Sequence, residues 1–552
     1  MIVASKTFLE FEREVPMLIK LIESQKKLNF AIVLVLSLSF FINICGIGWG
    51  LPSFHGWAID EIIPAQVLDG IEQGFSNGWY YKYPPFHYYV LTIFYTPFLI
   101  LDWLNVVDVS SLPTYTVLFY IERFVSVVMS TTIVYLVYLC GLEIYDKKTS
   151  ILAALMTALN CTFVYYSKTA NLEIPFTFWF VLSLLFYLRI LKHQKMRDYL
   201  LFSTAAVISV CTKDQAYGFY LLTPIFIVLV HHLYQKRQNI TTNIVHSLTD
   251  KKIIFSLLLS VTLFFILQNV IFNLEGFIAH ILELTSQAGD ASKKFDKTII
   301  GYLQLFRQTL KLLMYSLGLP VLIVGSLGLL IAFLKPKKNY LLLCSLVPTL
   351  SYYVFYIGII SYVRDRFLLP ITIVLVFFGA NFIFMFLICN QKFFKIKTIF
   401  VSILLIYTFI YSASINSLMT QDSRYYVEKW MKQNIRGDAL VLGIGHKEYL
   451  PRLQNFKYVS LQSPSLSNSY LLQLNPDYVV TTSSFDIRRS KKGTSRYQLF
   501  SSLYNEKNSY KLVLKYKSKP RWNLLRHQEK LSYKDTNLDK INPEIRIYRK
   551  TP

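Results

Sequence analysis

Apolar windows recur along this chain from Leu28 to Ser412, each close to or beyond the length that crosses a hydrocarbon layer of ~30 Å. No other feature narrows the fold so far. With 53% hydrophobic and 16% aromatic residues in 552, a set of soluble domains is set aside. The expectation is a polytopic α-helical membrane protein.

The expected spans are roughly 29–50, 115–140, 150–166, 172–191, 199–212, 216–233, 252–273, 312–334, 339–360, 367–390 and 396–414. Basic residues gather after alternate spans: Lys147-Lys148, Lys192 to Arg197, Lys236-Arg237 through Lys252, Lys335 to Lys338, and Lys392 to Lys397. The positive-inside bias puts those five loops in the cytoplasm. Residues 86–104 are apolar enough to cross as well, but that crossing would turn every lysine-rich loop outward. Pro97 also disfavours a straight span there. They are therefore read as a juxtamembrane or re-entrant helix of the outer leaflet. The count becomes about 11 transmembrane helices, with a cytoplasmic N-terminus and an extracytoplasmic C-terminus.

Ahead of the spans, residues 1–27 mix Glu and Lys with Phe, Leu and Ile, which suits an amphipathic helix on the cytoplasmic face. From about Gln421 the chain turns polar. Residues 423–433 read as a helix, and strands follow at 438–442, 477–482 and 510–516, with an edge strand at 544–548. Residues 421–552 would thus form a small extracytoplasmic α/β domain. Its Gly443-Ile444-Gly445 reads as a turn at a strand end rather than a phosphate loop. This tail carries 25 Lys+Arg against 11 Asp+Glu, part of a formal charge of +24 that is otherwise scattered through short loops. Such a distribution favours a solvated surface beside anionic lipid and argues against a nucleic-acid partner. The six cysteines all fall in apolar spans without paired or metal-ligand spacing, so they read as core packing.

The loops left outside are 51–114, 167–173, 213–215, 274–311 and 361–366, and they gather the unusual charges near the membrane. The first contains GWAIDEIIPAQVLDGIEQGFSNGWYYKYPPFHYY, residues 56–89, which opens on Asp60-Glu61. It closes on Lys82, Tyr83, Pro84 and Pro85, with His87 just beyond. Carboxylates beside an apolar span are costly unless they face water or serve a function. Lys168, Glu173, Lys213, Asp214, Arg364, Asp365 and Arg366 follow in later loops. Their convergence would make a polar cavity opening outward. A channel more often holds ionisable groups within its spans.

Each of these residues also has a plainer reading. Asp60 and Glu61 suit the cap and first turn of a helix beginning in Ile-Ile-Pro-Ala-Gln-Val-Leu. On such a helix the two would diverge by about 100° and could not address one atom. Glu173 suits another helix start, and Lys168 an interfacial lysine. Lys213-Asp214 suits a local ion pair, Arg123 a pair with Glu122, and His87 an interfacial aromatic. Arg364 and Arg366 resist such accounts, because they break the positive-inside trend and arginine's fork matches phosphate. As one set the residues offer acids to activate a hydroxyl, cations for a lipid-linked phosphate, and aromatics to border a sugar.

The motifs that carry this set resemble the C-type glycosyltransferase superfamily, in its protein O-mannosyltransferase and lipid A aminoarabinose transferase branch. Ala58-Ile-Asp60-Glu61 is similar to the acidic motif of that family's first external loop, and Lys82-Tyr-Pro-Pro-Phe-His-Tyr-Tyr89 to the segment after it. Tyr166-Ser-Lys-Thr-Ala-Asn-Leu-Glu173 resembles the second external loop, and Arg366-Phe-Leu-Leu-Pro370 a late Arg-Tyr-x-x-Pro motif. The likeness covers about residues 28–415. It implies inverting transfer from a polyprenyl-phosphate sugar to a lipid, glycan or protein acceptor, at the outer face of a plasma (inner) membrane. It further implies Asp60 as base, with Glu61 and Glu173 as supporting acids. Arg123, Lys168, Lys213, Arg364 and Arg366 would hold the donor phosphate, and Tyr83, Pro84, Pro85 and His87 would border the substrate pocket. Glu173 stands where the family usually has Asp, and Lys168 where Arg is common. These departures leave a divalent metal cation open, since some relatives need one and others do not. The polar tail resembles domains appended to some bacterial members, where it would help recognise acceptors. The alternative is a transporter or lipid-linked saccharide flippase, which would favour charges within spans and paired halves.

Overall fold

The computed structural model describes residues 29–75, 83–240, 243–285, 294–389, 391–461, 466–528 and 535–551; the expected helix at 1–27 and the motif residue Lys82 fall outside them. Among the described residues, six helical runs are long and apolar enough to cross a membrane, or up to seven if one bent pair counts as a span. They are Leu112–Ile144, Glu173–His193, Asp214–Arg237, Tyr340–Ile360, Asp365–Ile388 and Gln391–Asn434. The chain is an integral membrane protein. Asn29–Ile44 is a shorter apolar helix. Phe86–Trp103 is helical through Pro97 and is not among the six.

Two expected spans are broken, each for a local reason, and a third changes its winding within one run. The run at 150–166 splits into Lys147–Ala158 and Cys161–Tyr166. Asn160 restarts it, accepting from the Phe163 amide at 3.0 Å while donating to Thr372 at 2.9 Å. The run at 312–334 is two helices, Ile299–Leu317 and Leu319–Leu334, meeting at 116°. Gly318 sits at the bend with φ +73° and ψ 152°, a conformation open essentially to glycine alone. The first helix of this pair therefore occupies part of the expected loop 274–311. The run at 339–360 passes through Tyr340–Cys344, Leu346–Tyr352 and a π-helical turn at Tyr353–Ile357.

Beyond Thr420 the helix Ser423–Asn434 forms where the sequence places it. Five strands follow: β1 (Leu440–Ile444), β2 (Lys457–Leu461), β3 (Tyr478–Thr482), β4 (Tyr510–Tyr516) and β5 (Ile545–Lys550), in the order β2-β1-β3-β5-β4. β1 runs parallel to β2 and β3, whereas β5 is antiparallel to β3 and β4. The last strand is thus interior, not the expected edge. Its Ile545, Ile547 and Tyr548 are buried on the two faces of the sheet, which an edge would leave half-covered. β2 takes an edge instead, and its half-exposed Lys-Tyr-Val-Ser-Leu lacks the alternation that marks a strand.

Both faces of the sheet are covered. Val427 and Met431 of the first helix pack on Val441, Val480 and Ile547. Leu499, Phe500 and Leu503 of Ser495–Tyr504 pack on Leu442, Val479 and Tyr548. The unit is also tied to the helices below it, because Leu525, Leu538 and Ile541 join the core of the helical bundle.

Candidate functional site

Asp60 and Glu61 do not begin a helix. They lie in the loop before Pro64–Glu72, whose cap is Ile63, and Asp60 has φ +58°. A non-glycine residue in the left-handed region costs energy and persists only where its surroundings hold it. The two carboxylates, adjacent in the chain, have separate partners.

Asp60 faces the late arginines. Its Oδ2 accepts from Arg366 Nη1 at 2.9 Å and lies 3.8 Å from Arg364 Nη1. Arg366 Nε is 3.3 Å from Glu173 Oε1, and the same oxygen accepts from Lys213 Nζ at 2.6 Å. Four separate loops of the chain therefore supply one continuous chain of charges. Glu173 is the first residue of Glu173–His193, Lys213 follows the helix Met196–Thr212, and Arg366 lies in a 3₁₀ turn at Asp365–Leu368. Tyr83 closes one side, with Lys213 Nζ 5.7 Å from its ring and 5.6 Å from that of Phe176. Burial, reinforced by Asp60, pushes the Tyr83 phenol well above its ordinary range. Burial lowers Lys213 to about 8 despite the neighbouring Glu173. The acid and its arginines remain reachable: Asp60 is 24% exposed and Arg364 25%, whereas Glu173 is 2% exposed.

Glu61 belongs to a sealed pair. Its two oxygens accept from Arg123 Nε at 2.7 Å and Nη2 at 2.9 Å. Arg123 Nη1 donates to the carbonyls of Ile47 and Trp49, and the Ala170 amide donates to Glu61. Gly56, at φ +61°, packs so closely that a Cβ would sit 2.9 Å from Glu61 and 3.0 Å from Arg123. Arg123 is not paired with Glu122, whose Oε1 accepts instead from Tyr95 at 2.6 Å. Lys168 is buried as well, its amine donating to the carbonyls of Ile42 and Cys45 and to Asn416. These contacts tie Arg123 and Lys168 to the 42–49 stretch, away from the arginine pair.

The local pair expected at Lys213-Asp214 does not form, since Asp214 faces His280 Nε2 at 2.9 Å. Pro84, Pro85 and His87 are buried, and His87 Nδ1 has no hydrogen-bond partner among the described residues. Asp365, noted from sequence only as an unusual charge, is buried and donates its amide to the Asp535 carbonyl at 3.0 Å. Among the described residues no group of three or more His, Cys, Asp and Glu side chains is placed to hold a metal ion. Asp60 and Glu173 already face cations, a donor set that does not fit a divalent cation.

Residues 121–250 match the family model described as dolichyl-phosphate-mannose-protein mannosyltransferase. That stretch carries Arg123, Lys168, Glu173 and Lys213, and it lies within the resemblance drawn from the motifs. No curated protein matches the chain. Among solved structures, the oligosaccharyltransferase AglB from Archaeoglobus fulgidus, in complex with an inhibitory peptide and a dolichol-phosphate, is 12% identical, with a TM-score of 0.45 over 91% of this chain and 75% of that one. ArnT from Cupriavidus metallidurans, bound to undecaprenyl phosphate, is 10% identical, with a TM-score of 0.44 over 94% of this chain and 97% of that one.

Proposed function

We propose that this chain is an inverting glycosyltransferase that moves a sugar from a polyprenyl-phosphate donor to an acceptor hydroxyl on the extracytoplasmic face of its membrane. The observation that carries this reading is the Asp60–Arg366–Glu173–Lys213 chain of charges. The family match over residues 121–250 supports it. In this reading about 11 helices cross the membrane and the C-terminal unit is extracytoplasmic.

Asp60 takes the proton of the acceptor hydroxyl. The freed oxygen attacks the anomeric carbon, and the bond from that carbon to the phosphate oxygen breaks. The leaving phosphate keeps the electron pair, and Arg364, Arg366 and Lys213 stabilise its charge. Glu173 is a positioning residue, holding Arg366 and Lys213 by one oxygen. The donor phosphate competes with Asp60 for Arg366, so donor binding itself releases the base. At ~4 Å and an effective dielectric of ~20, one such charge contact is worth roughly 4 kcal/mol before desolvation. Arg123, Lys168 and Glu61 act at a distance by holding the first loop in place, and Tyr83, Pro84, Pro85 and His87 border the sugar.

The test is transfer by the purified chain in lipid, from radiolabelled polyprenyl-phosphate sugars to a membrane extract, with wild type beside Asp60→Asn. Product from the wild type alone supports the reading. Equal product from both removes Asp60 as the base. No product with any donor from folded protein sinks the proposal and favours a transporter.

A further inference from the structure

Residues 535–542, Asp-Thr-Asn-Leu-Asp-Lys-Ile-Asn, look in sequence like a solvated loop of the polar tail. In the structure all of them but Asp539 are buried. Asp535, Asn537, Lys540 and Asn542 are each 5% exposed or less. Buried polar groups are retained only where partners hold them, and here the partners come from both parts of the molecule. The Asp535 carbonyl accepts from the Asp365 amide, and its carboxylate accepts from Lys294 at 2.7 Å. Asn537 donates to the Tyr166 hydroxyl at 3.0 Å. On the other side Asp422 accepts from the Asn542 amide at 2.8 Å, and Arg424 donates to the Lys540 carbonyl at 3.2 Å. Leu538 and Ile541 pin the segment into the core of the bundle.

This strap lies against the late loop, where the Asp365 amide meets the Asp535 carbonyl, and it sets one buried cation there. Lys540 Nζ donates to Asn537 Oδ1 at 2.7 Å, Asn537 in turn donates to Tyr166, and the charges felt by the amine are Arg364, Asp60, Arg366 and Asp365. Among the described residues, Lys213, Arg364, Arg366 and Lys540 thus stand against Asp60, Glu173 and Asp365. The set has one more cation than carboxylates. A phosphodiester brings one negative charge.

We propose that Lys540, seated by the 535–542 strap, is a binding residue for the donor phosphate, so that the C-terminal unit supplies part of the site. The inference rests on the donor reading above and adds to it a residue outside the resembling region. Burial, then Arg364, lowers the Lys540 amine to about 7, so near neutrality an arriving anion draws a proton onto it.

The experiment measures binding of a polyprenyl methyl phosphate, a phosphodiester whose single charge does not titrate between pH 6.5 and 8.5. The full chain is used in lipid nanodiscs, as wild type, Lys540→Met and Lys540→Arg. Wild-type affinity is expected to fall severalfold across that window as the amine loses its proton. Lys540→Met is expected to bind about tenfold more weakly at pH 6.5, and Lys540→Arg to bind with a flattened pH slope. Asp365, which burial raises to about 7, and Lys213 also titrate in this window, but both are present in all three proteins, so the difference in slope among them reads Lys540. Wild-type affinity and slope in Lys540→Met overturn the proposal and leave the donor reading intact. Should Lys540→Met fail to fold, an unchanged slope in Lys540→Arg overturns it equally. Absence of binding by folded wild type overturns the donor reading and this proposal together.

Discussion

Asp60 and Glu61 are neighbours in sequence with the same charge, yet they sit in opposite kinds of surroundings. Glu61 and Arg123 are 1% and 0% exposed, and backbone groups complete their hydrogen bonds. Asp60 is 24% exposed and meets Arg366 and Arg364, which are partly open themselves. A sealed ion pair fixes geometry, because no incoming group can reach it. An open one can exchange a partner for a substrate. Asp60 itself holds a left-handed backbone between the two sets of partners. Lys168 and Lys213 repeat the contrast among the cations. Lys168 binds backbone carbonyls, while Lys213 binds the acid that also holds Arg366.

The widest separation is expected between Asp60→Asn and Glu61→Gln. The first keeps size and fold and removes the proposed base, so transfer should fall about 10²–10⁴-fold while the thermal midpoint of the purified protein stays at the wild-type value. The second strands a buried guanidinium, and losing one partner of such a pair costs about 3–5 kcal/mol. Its thermal midpoint and yield should drop with activity. If Glu61→Gln melts like wild type and loses only activity, the sealed pair is not architectural and the contrast fails. Lys168→Met should come next in size. It takes the amine from the Cys45 carbonyl and from Asn416 Oδ1, while Ile42 keeps the Asn416 amide as donor, at a cost of about 1–3 kcal/mol, read as a lower midpoint with donor affinity unchanged in the folded fraction.

The legible part of the site was the part where charge type and place disagreed. Carboxylates beside an apolar span and arginines against the positive-inside trend pointed to Asp60, Glu173 and Arg366, and the fold brings both acids within ion-pair distance of that arginine. Partners were not legible. Chain neighbours such as Glu122-Arg123 and Lys213-Asp214 looked like pairs, but consecutive side chains diverge by about 100° around a helix and find partners on other elements. Lys540 was invisible for a different reason. Its burial follows from Leu538 and Ile541 packing into a bundle whose helices lie more than a hundred residues earlier, and nothing in a short polar segment records that. In the sheet, fully buried β3 was readable from its apolar run, whereas half-exposed β2 was not.

The smallest expected effect is the sharpest in sign. The Lys213 amine is lowered to about 8 from a model-peptide value near 10.5. Between those two values the unfolded chain holds a proton that the folded chain has released, so through this group stability rises with pH, by at most about 1.4 kcal/mol per unit. The same loss of charge removes a cation from the proposed phosphate site, so the KM for donor should rise by up to roughly tenfold between pH 7 and 9. Stability and donor affinity should therefore move in opposite directions over one pH range, which a sealed lysine could not produce. Lys213→Arg keeps the charge throughout, so the stability trend should flatten in it and the KM trend should shrink to the part that Lys540 contributes. A KM that still climbs with pH in Lys213→Arg by the wild-type factor would assign the titration to another group and place Lys213 with Lys168 on the architectural side.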